Sequence, residues 1–97
     1  MPLHLQLVKI SENAEDYLAC IYDLSHKGVP VKTSEISGRL KLSPASVTEM
    51  TQRLASEGYL NYERYKGVTL TPAGNRVAER IKRRHRLLER FLVDVLG

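Results

Sequence analysis

The sequence predicts a mainly α-helical fold with a small β-hairpin, arranged as a winged helix-turn-helix followed by a long carboxyl-terminal helix. Apolar residues recur at helical spacing in four segments, and two short β-rich runs follow Gly58. A three-residue connection joins the second and third helices. We expect an amino-terminal extension over residues 1–10, the winged helix-turn-helix over 11–75 and the long helix over 76–97.

Composition limits the classes of protein to consider. Fifteen Lys and Arg residues against eleven Asp and Glu give the 97-residue chain a formal net charge of +4, which favours an anionic partner. A single cysteine excludes an internal disulfide framework, and no stretch resembles a signal peptide or a membrane span. We therefore expect a soluble cytoplasmic protein with no membrane partner. Neither an enzyme nor a small-molecule substrate is expected, because no nucleophile has a visible base and no Gly-rich phosphate loop occurs.

The first helix is predicted from Ser11, a good N-cap, to about His26. Its core-facing residues at helical spacing are Ala14, Tyr17, Leu18, Ile21 and Leu24. The ten residues before it alternate apolar and polar side chains. That pattern allows an edge strand, an extension of the helix or loose packing on the core.

A second, short helix is predicted to begin at a cap formed by Thr33 or Ser34 and to turn Ile36 and Leu40 inward. Only residues 41–43 separate it from the next helix. A connection this short makes two helices cross steeply, which is the geometry of a helix-turn-helix.

The third helix is predicted to begin sharply, because Ser43 can cap it and Pro44 suits the first helical position. Gly58 can take the left-handed conformation that ends it. The predicted buried residues are Val47, Met50, Thr51 and Leu54. The opposite face has small and hydrogen-bonding side chains, namely Ala45, Ser46, Glu49, Gln52, Arg53 and Ser56. Such a face fits a DNA major groove, although an ordinary amphipathic surface helix has the same pattern.

Two short β-rich runs, at 59–62 and 68–71, flank a turn that contains Gly67. This hairpin would be a wing directly after the candidate recognition helix, with Arg64 and Lys66 near its tip. Cationic side chains at such a tip suit DNA phosphates, which set affinity without reading sequence. The alternative is a solvated hairpin end, and the preceding helix-turn-helix favours phosphate contact.

The final helix is predicted from Pro72 to about Leu96. Its apolar stripe contains Val77, Ile81, Leu88, Leu92 and Val95, and His85 occupies the slot between Ile81 and Leu88. We expect this imidazole to be buried or half-buried and therefore to need a partner. Glu89 lies one turn further on, so the two side chains could share a metal or a structural hydrogen bond.

Apolar residues after Leu87 lie on too many sides of the helix for one small core. We expect this surface to be covered, either by a second copy of the chain or by a further domain.

Five segments, taken together and in order, match one known family. They are Glu15-Asp16-Tyr17-Leu18 with Ile21-Tyr22, Leu42-Ser43-Pro44-Ala45-Ser46-Val47-Thr48, Glu57-Gly58-Tyr59-Leu60, Leu70-Thr71-Pro72-Ala73-Gly74, and Arg84-His85-Arg86-Leu87-Leu88-Glu89-Arg90-Phe91-Leu92. In these segments the sequence resembles the metal-dependent repressors typified by the diphtheria toxin repressor, the iron-dependent regulators and the manganese transport regulators. The resemblance covers nearly everything from Glu12 to Gly97.

The resemblance implies a winged-helix module of a protein that dimerises through later helices and binds a palindromic operator when loaded with Fe(II) or Mn(II). Its metal ligands fall on Asp16, His85 and Glu89, an incomplete set because the family's other ligands come from the dimerisation helices. Asp16 favours Mn(II), since carboxylate oxygen is a hard donor. Ala19 stands where the manganese-responsive members have a second carboxylate, and the neighbouring Cys20 is expected to be a core or surface residue.

The expected DNA contacts divide into two groups. The candidates for direct readout of bases are Ser43, Ala45, Ser46, Glu49 and Gln52. Further DNA-binding candidates are Thr33, Ser34, Arg53, Arg64 and Lys66. The leading hypothesis is therefore a metal-responsive repressor of metal-homeostasis genes. The alternatives are a metal-independent winged-helix regulator and a winged-helix protein-interaction module.

Overall fold

The computed structural model of the protein describes residues 14–25 and 28–96, with the side chains at 91 and 93–96 outside that description. Its elements are α1 (residues 14–24), α2 (Thr33–Leu40), α3 (Pro44–Ser56), β1 (Leu60–Glu63), β2 (Gly67–Leu70) and α4 (Pro72–Leu96). This order confirms the predicted winged helix-turn-helix with a long final helix. The predictions for residues 1–10 and for a helix start at Ser11 lie outside the described residues.

One hydrophobic core joins all of these elements. Its buried members include Tyr17, Leu18, Cys20 and Ile21 of α1, Ile36 of α2, Val47 and Leu54 of α3, Leu60 and Val68 of the hairpin, and Ala78 of α4. Ala14, Leu24, Leu40 and Met50 pack partly buried against it. The predicted core faces of the first three helices are therefore confirmed.

The start of α2 differs from the prediction. Thr33 is the first helical residue and Lys32, in an extended conformation, is the N-cap. The Lys32 backbone N–H donates to a carboxylate oxygen of Glu35 at 2.9 Å. Glu35, three residues after the cap, thus accepts from the N–H of the cap itself, whereas a Thr33 or Ser34 cap was expected to accept from an N–H two or three residues further on.

The hairpin strands are each displaced by one residue from the predicted runs. Leu60 pairs with Leu70 and Glu63 with Gly67, in antiparallel register. Val31 forms an additional bridge to Val68, in which each residue donates its N–H to the other's carbonyl at 2.8 Å. The short segment before α2 therefore packs along β2 and sets the position of the α2 N-terminus relative to the wing.

The start of α4 is fixed by Thr71. Its hydroxyl donates to the Gly58 carbonyl at 2.6 Å and accepts from the Gly74 N–H at 3.1 Å. One side chain thus caps α4 and ties it to the end of α3. Among the described helices, including α4, none combines the length and apolar character that crossing a membrane requires.

The second half of α4 corrects one prediction. Ala78 and Ile81 are buried, but His85 is exposed rather than buried within an apolar stripe. A helix of 25 residues is roughly 37 Å long, so it extends past the core of a domain this small. Leu87, Leu88 and Leu92 are 62%, 58% and 48% exposed, which confirms an apolar surface that this core does not cover.

Candidate DNA interface and metal-ligand positions

The outer face of α3 is free of contacts with the core. Val47, Thr51 and Leu54 are fully or almost fully buried on one side of the helix. The predicted outer residues Ala45, Ser46, Glu49, Gln52, Arg53 and Ser56 are all exposed on the other. A slender helix with this free face can enter a major groove, where its polar side chains would meet base edges.

The N-terminus of α3 is fixed by Ser43. Its hydroxyl accepts from the Ser46 N–H at 3.2 Å and donates to the Ser46 hydroxyl at 2.9 Å, and Pro44 follows it at the first helical position. The predicted cap is therefore confirmed. Because Ser43 uses its hydroxyl in this cap, it orients Ser46 and the first turn of the helix.

A groove of about 330 Å³ runs along one flank of α3. It is lined by Ser46, Glu49, Met50 and Arg53 of α3, by Tyr17 of α1 and by Leu42. Burial, with a smaller contribution from Cys20, raises the pKa of Tyr17. Three predicted DNA-binding side chains thus share a groove with Tyr17, which the sequence assigned only to the core-facing side of α1.

A second cleft, here called the wing cleft, has a volume of about 220 Å³ and lies between the start of α2 and the wing. It is lined by Lys32, Thr33, Ser34, Tyr62, Tyr65, Lys66 and Gly67. The cleft brings three predicted DNA-binding residues together from two distant segments, and it adds Lys32 and the two tyrosines. Two ammonium groups and several hydroxyls around a space of this size suit a phosphate group.

The wing tip has its own geometry. Tyr65 is 88% exposed and takes a left-handed φ of 69°, which sequence alone did not indicate for a tyrosine. The Arg64 guanidinium lies over its ring, 5.1 Å from the ring centroid. This stacking places the Arg64 guanidinium beside Tyr65, which also lines the cleft between α2 and the wing.

Two ion pairs attach α1 to α4. The Lys82 ammonium lies 3.0 Å from a carboxylate oxygen of Asp23, and Arg84 pairs with Glu15. These pairs neighbour two of the predicted metal ligands, since Asp16 follows Glu15 and His85 follows Arg84 along the chain.

The predicted metal ligands Asp16, His85 and Glu89 are all exposed. Within the described parts of the chain, no three His, Cys, Asp or Glu side chains form a group that could hold a metal ion. The donor chemistry nevertheless suits a divalent first-row metal, because two carboxylates and an imidazole supply oxygen and nitrogen. Cys20 is buried, and burial raises the pKa of its thiol despite an opposing effect of Arg39, so it is a core residue, as expected.

Sequence reasoning did not predict that Lys32, Tyr62 and Tyr17 line these two grooves. Lys32 reaches the wing cleft only because Val31 pairs with Val68, a contact between segments 37 positions apart that no local pattern indicates. Tyr62 was assigned to a strand and Tyr17 to the core, and the alternation of strand residues was the one signal that Tyr62 faces outwards.

Comparison with known families assigns both halves of the chain. The family model for the iron dependent repressor, N-terminal DNA binding domain, matches residues 9–68. The model for the iron dependent repressor, metal binding and dimerisation domain, matches residues 71–97.

Individual proteins agree with these matches. The HTH-type transcriptional regulator MntR of Lysinibacillus sphaericus is 47% identical over 79 residues, which is 80% of this chain and 56% of that protein. The chain spans about half the length of several curated relatives that it matches. Among solved structures, ScaR with bound Zn²⁺ is 38% identical with a TM-score of 0.73, over 87% of this chain and 39% of that chain.

The manganese regulator SloR, at 34% identity, has a TM-score of 0.72 over 86% of this chain and 39% of that chain. The chain therefore belongs to the iron-dependent repressor family.

Proposed function

We propose that this chain is the DNA-binding part of a metal-responsive transcriptional repressor that binds a palindromic operator in double-stranded DNA as a homodimer in the cytoplasm. The observation that carries the proposal is the free outer face of α3, whose side chains are small or able to form hydrogen bonds. The family's amino-terminal model, a DNA-binding domain, supports it. Among the relatives, MntR is named an HTH-type transcriptional regulator and SloR a manganese regulator.

The proposed interface has two surfaces, one that contacts bases and one that contacts phosphates. On α3, Ala45, Ser46, Glu49 and Gln52 meet base edges, while Arg53 lies at the flank of the helix. In the cleft between α2 and the wing, Thr33, Ser34 and Lys66, joined by Lys32, contact the phosphate backbone, as does Arg64 at the tip. Phosphate contacts fix the register of the helix in the groove, so that the base contacts can select a sequence.

The metal proposed is Mn(II) or Fe(II), with Asp16, His85 and Glu89 among its ligands. Glu89 follows His85 by one helical turn, so both can face one ion, and the Glu15–Arg84 ion pair holds α1 against α4 next to Asp16. The carboxylate oxygens lean towards Mn(II). When bound, the metal supplies positive charge and a link between the two helices. Three ligands leave further coordination positions for other donors.

The apolar side chains Leu87, Leu88 and Leu92 support the proposed dimer. All three are about half exposed or more, and such a surface on α4 is expected to be buried against another apolar surface. The family's second model, a metal-binding and dimerisation domain, begins at the same helix. Two copies joined in this way would present two α3 helices to half-sites about one DNA turn apart.

The test is selection of binding sites from a pool of random duplexes, carried out with Mn(II), with Fe(II) and with chelator. The proposal expects an inverted repeat to be enriched with metal and lost with chelator. His85→Ala should remove the metal effect without changing the urea unfolding curve, because His85 is exposed. Arg76→Ala, an exposed change on the same helix, is the matched control.

Two other outcomes of the selection would each favour an alternative function. Selection of the same sites with chelator and with metal would favour a metal-independent regulator. Failure to enrich any duplex at low salt, where phosphate contacts are strongest, would favour a protein-interaction module.

A further inference from the structure

Glu49 lies at the centre of the free face of α3. Ala45 and Ser46 precede it by one turn on this face, and Gln52 and Arg53 follow it by one turn. Ala45 and Ser46 both have small side chains. A base pair can therefore approach the Glu49 carboxylate without meeting a bulky neighbour on that side.

The Glu49 carboxylate keeps its hydrogen-bonding capacity. Arg53, one turn away, pairs with Glu57 on its other side, with Nε 3.8 Å from the carboxylate oxygen. In the part of the chain that the structure describes, no ion pair and no side-chain hydrogen bond involves Glu49. Among the described residues, no side-chain hydrogen bond or ion pair competes with a DNA base for its oxygens.

A carboxylate placed in a major groove meets mostly unfavourable groups. DNA phosphates repel it, and so do the acceptors that guanine, adenine and thymine present there. The exocyclic amino groups of cytosine and adenine are the donors available in this groove. Adenine places its amino group beside its own acceptor N7, whereas cytosine presents its N4 amino group with no acceptor on the same base edge.

We propose that Glu49 is a specificity-determining residue that selects a C·G base pair by accepting a hydrogen bond from the cytosine N4 amino group. This inference rests on the proposed function, since it requires α3 to lie in the major groove. The carboxylate discriminates against other bases as well as attracting cytosine. Guanine and thymine would present it with an acceptor, and adenine with a donor beside an acceptor.

The experiment compares the wild-type chain with Glu49→Gln and Glu49→Ala in the random-duplex selection with Mn(II). Binding of single-base variants of the selected duplex is then measured by fluorescence anisotropy. The wild type should enrich cytosine at one position of each half-site, and replacing that cytosine should weaken binding about tenfold. Glu49→Gln should move the preference to adenine, because an amide can both donate and accept. Glu49→Ala should show no preference there.

Glu79→Gln makes the same change of charge at an exposed position on α4 and should keep the wild-type preference. The inference is overturned if Glu49→Ala selects the same base as the wild type at every position. If the wild type selects no duplex at all, the proposed function fails and this inference fails with it. Wild-type selection without a Glu49-dependent position would remove this inference alone.

Discussion

The Lys82 ammonium of α4 lies 3.0 Å from a carboxylate oxygen of Asp23, near the end of α1. Two residues later on α4, Arg84 pairs with Glu15, near the start of the described part of α1. One turn of the long helix therefore holds both ends of α1. Since Tyr17 of the same helix lines the groove beside α3, a shift of α1 against α4 would reach the candidate DNA interface.

Removal of the Asp23–Lys82 pair should cost little stability. Its side chains are about one third exposed, and ion pairs in such positions contribute about 0.2–1 kcal/mol. A double-mutant cycle with Asp23→Ala and Lys82→Ala, measured by urea unfolding, should give a coupling energy in that range. The coupling should shrink in about 1 M salt, where charges are screened within about 3 Å.

The cycle that combines Asp23→Ala with Arg76→Ala is its control. Arg76 makes no ion pair in the described residues, so the two effects should add. Additive effects in the Asp23–Lys82 cycle as well would mean that the pair contributes nothing in solution.

The two lysines of the wing cleft should contribute to DNA affinity without contributing to sequence preference. Lys32→Ala and Lys66→Ala are each expected to weaken binding to all duplexes alike, because a phosphate contact does not depend on the base. Each should also lower the slope of log affinity against log salt by about 1. Salt titrations of duplex binding measure both effects.

Arg90→Ala, an exposed change on the distal part of α4, should leave that slope almost unchanged. If the Lys32 and Lys66 variants bind with the wild-type slope, these two lysines do not contact phosphate. Any contribution of the wing to DNA binding would then come from its other residues.

Local signals predicted most of the fold correctly, because caps and periodicity depend on neighbouring residues. Ser43 with Pro44 marks the start of α3, and its hydroxyl caps that helix as predicted. Thr71 before Pro72 caps α4 in the same way. The predicted cap of α2 was wrong because Lys32 takes the N-cap position, and its own N–H donates to Glu35. A glutamate three residues after the cap binds the N–H of the cap itself, so it can mark a helix start where the cap has no hydroxyl.

Features that depend on distant contacts were not predictable. The wing cleft exists because Val31 pairs with Val68, and the sequence offers no sign of that pairing. The exposure of His85 has a similar origin. An apolar stripe at helical spacing predicts which face of α4 is apolar, but not how far along the helix the core extends. Two residues of the same stripe on α4 therefore differ: Ile81 is buried and Leu88 is exposed.

Two glycine substitutions should change stability in opposite directions. A Cβ atom on Gly74 would lie 2.0 Å from the Tyr59 carbonyl oxygen, a backbone atom, whereas one on Gly38 would meet nothing within 4 Å. We expect Gly74→Ala to destabilise the fold by about 1–3 kcal/mol through overpacking. Gly38→Ala, in the middle of α2, should stabilise it by roughly 0.5–1 kcal/mol. Urea unfolding of both variants tests this, and equal effects would contradict the close packing of α4 against the segment before β1.

The buried thiol of Cys20 should make stability depend on alkaline pH. Burial raises its pKa above the ordinary value of 9.0, so the unfolded chain loses this proton at a lower pH than the folded chain does. Stability from this group is therefore complete below pH 9.0 and is lost as pH rises through the folded-state pKa. The free energy of unfolding of the wild type should decline over this range.

Cys20→Ala should decline less steeply in the same pH series, because alanine has no proton to lose. Some decline should persist, since burial also raises the pKa of Tyr17 above its ordinary 10.0 and affects stability in the same direction at higher pH. Urea unfolding from about pH 7 to about pH 11 would separate the two contributions, and Tyr17→Phe would remove the second. If wild type and Cys20→Ala show the same slope between these limits, the thiol is as accessible to water in the folded chain as in the unfolded one, and its place in the core is wrong.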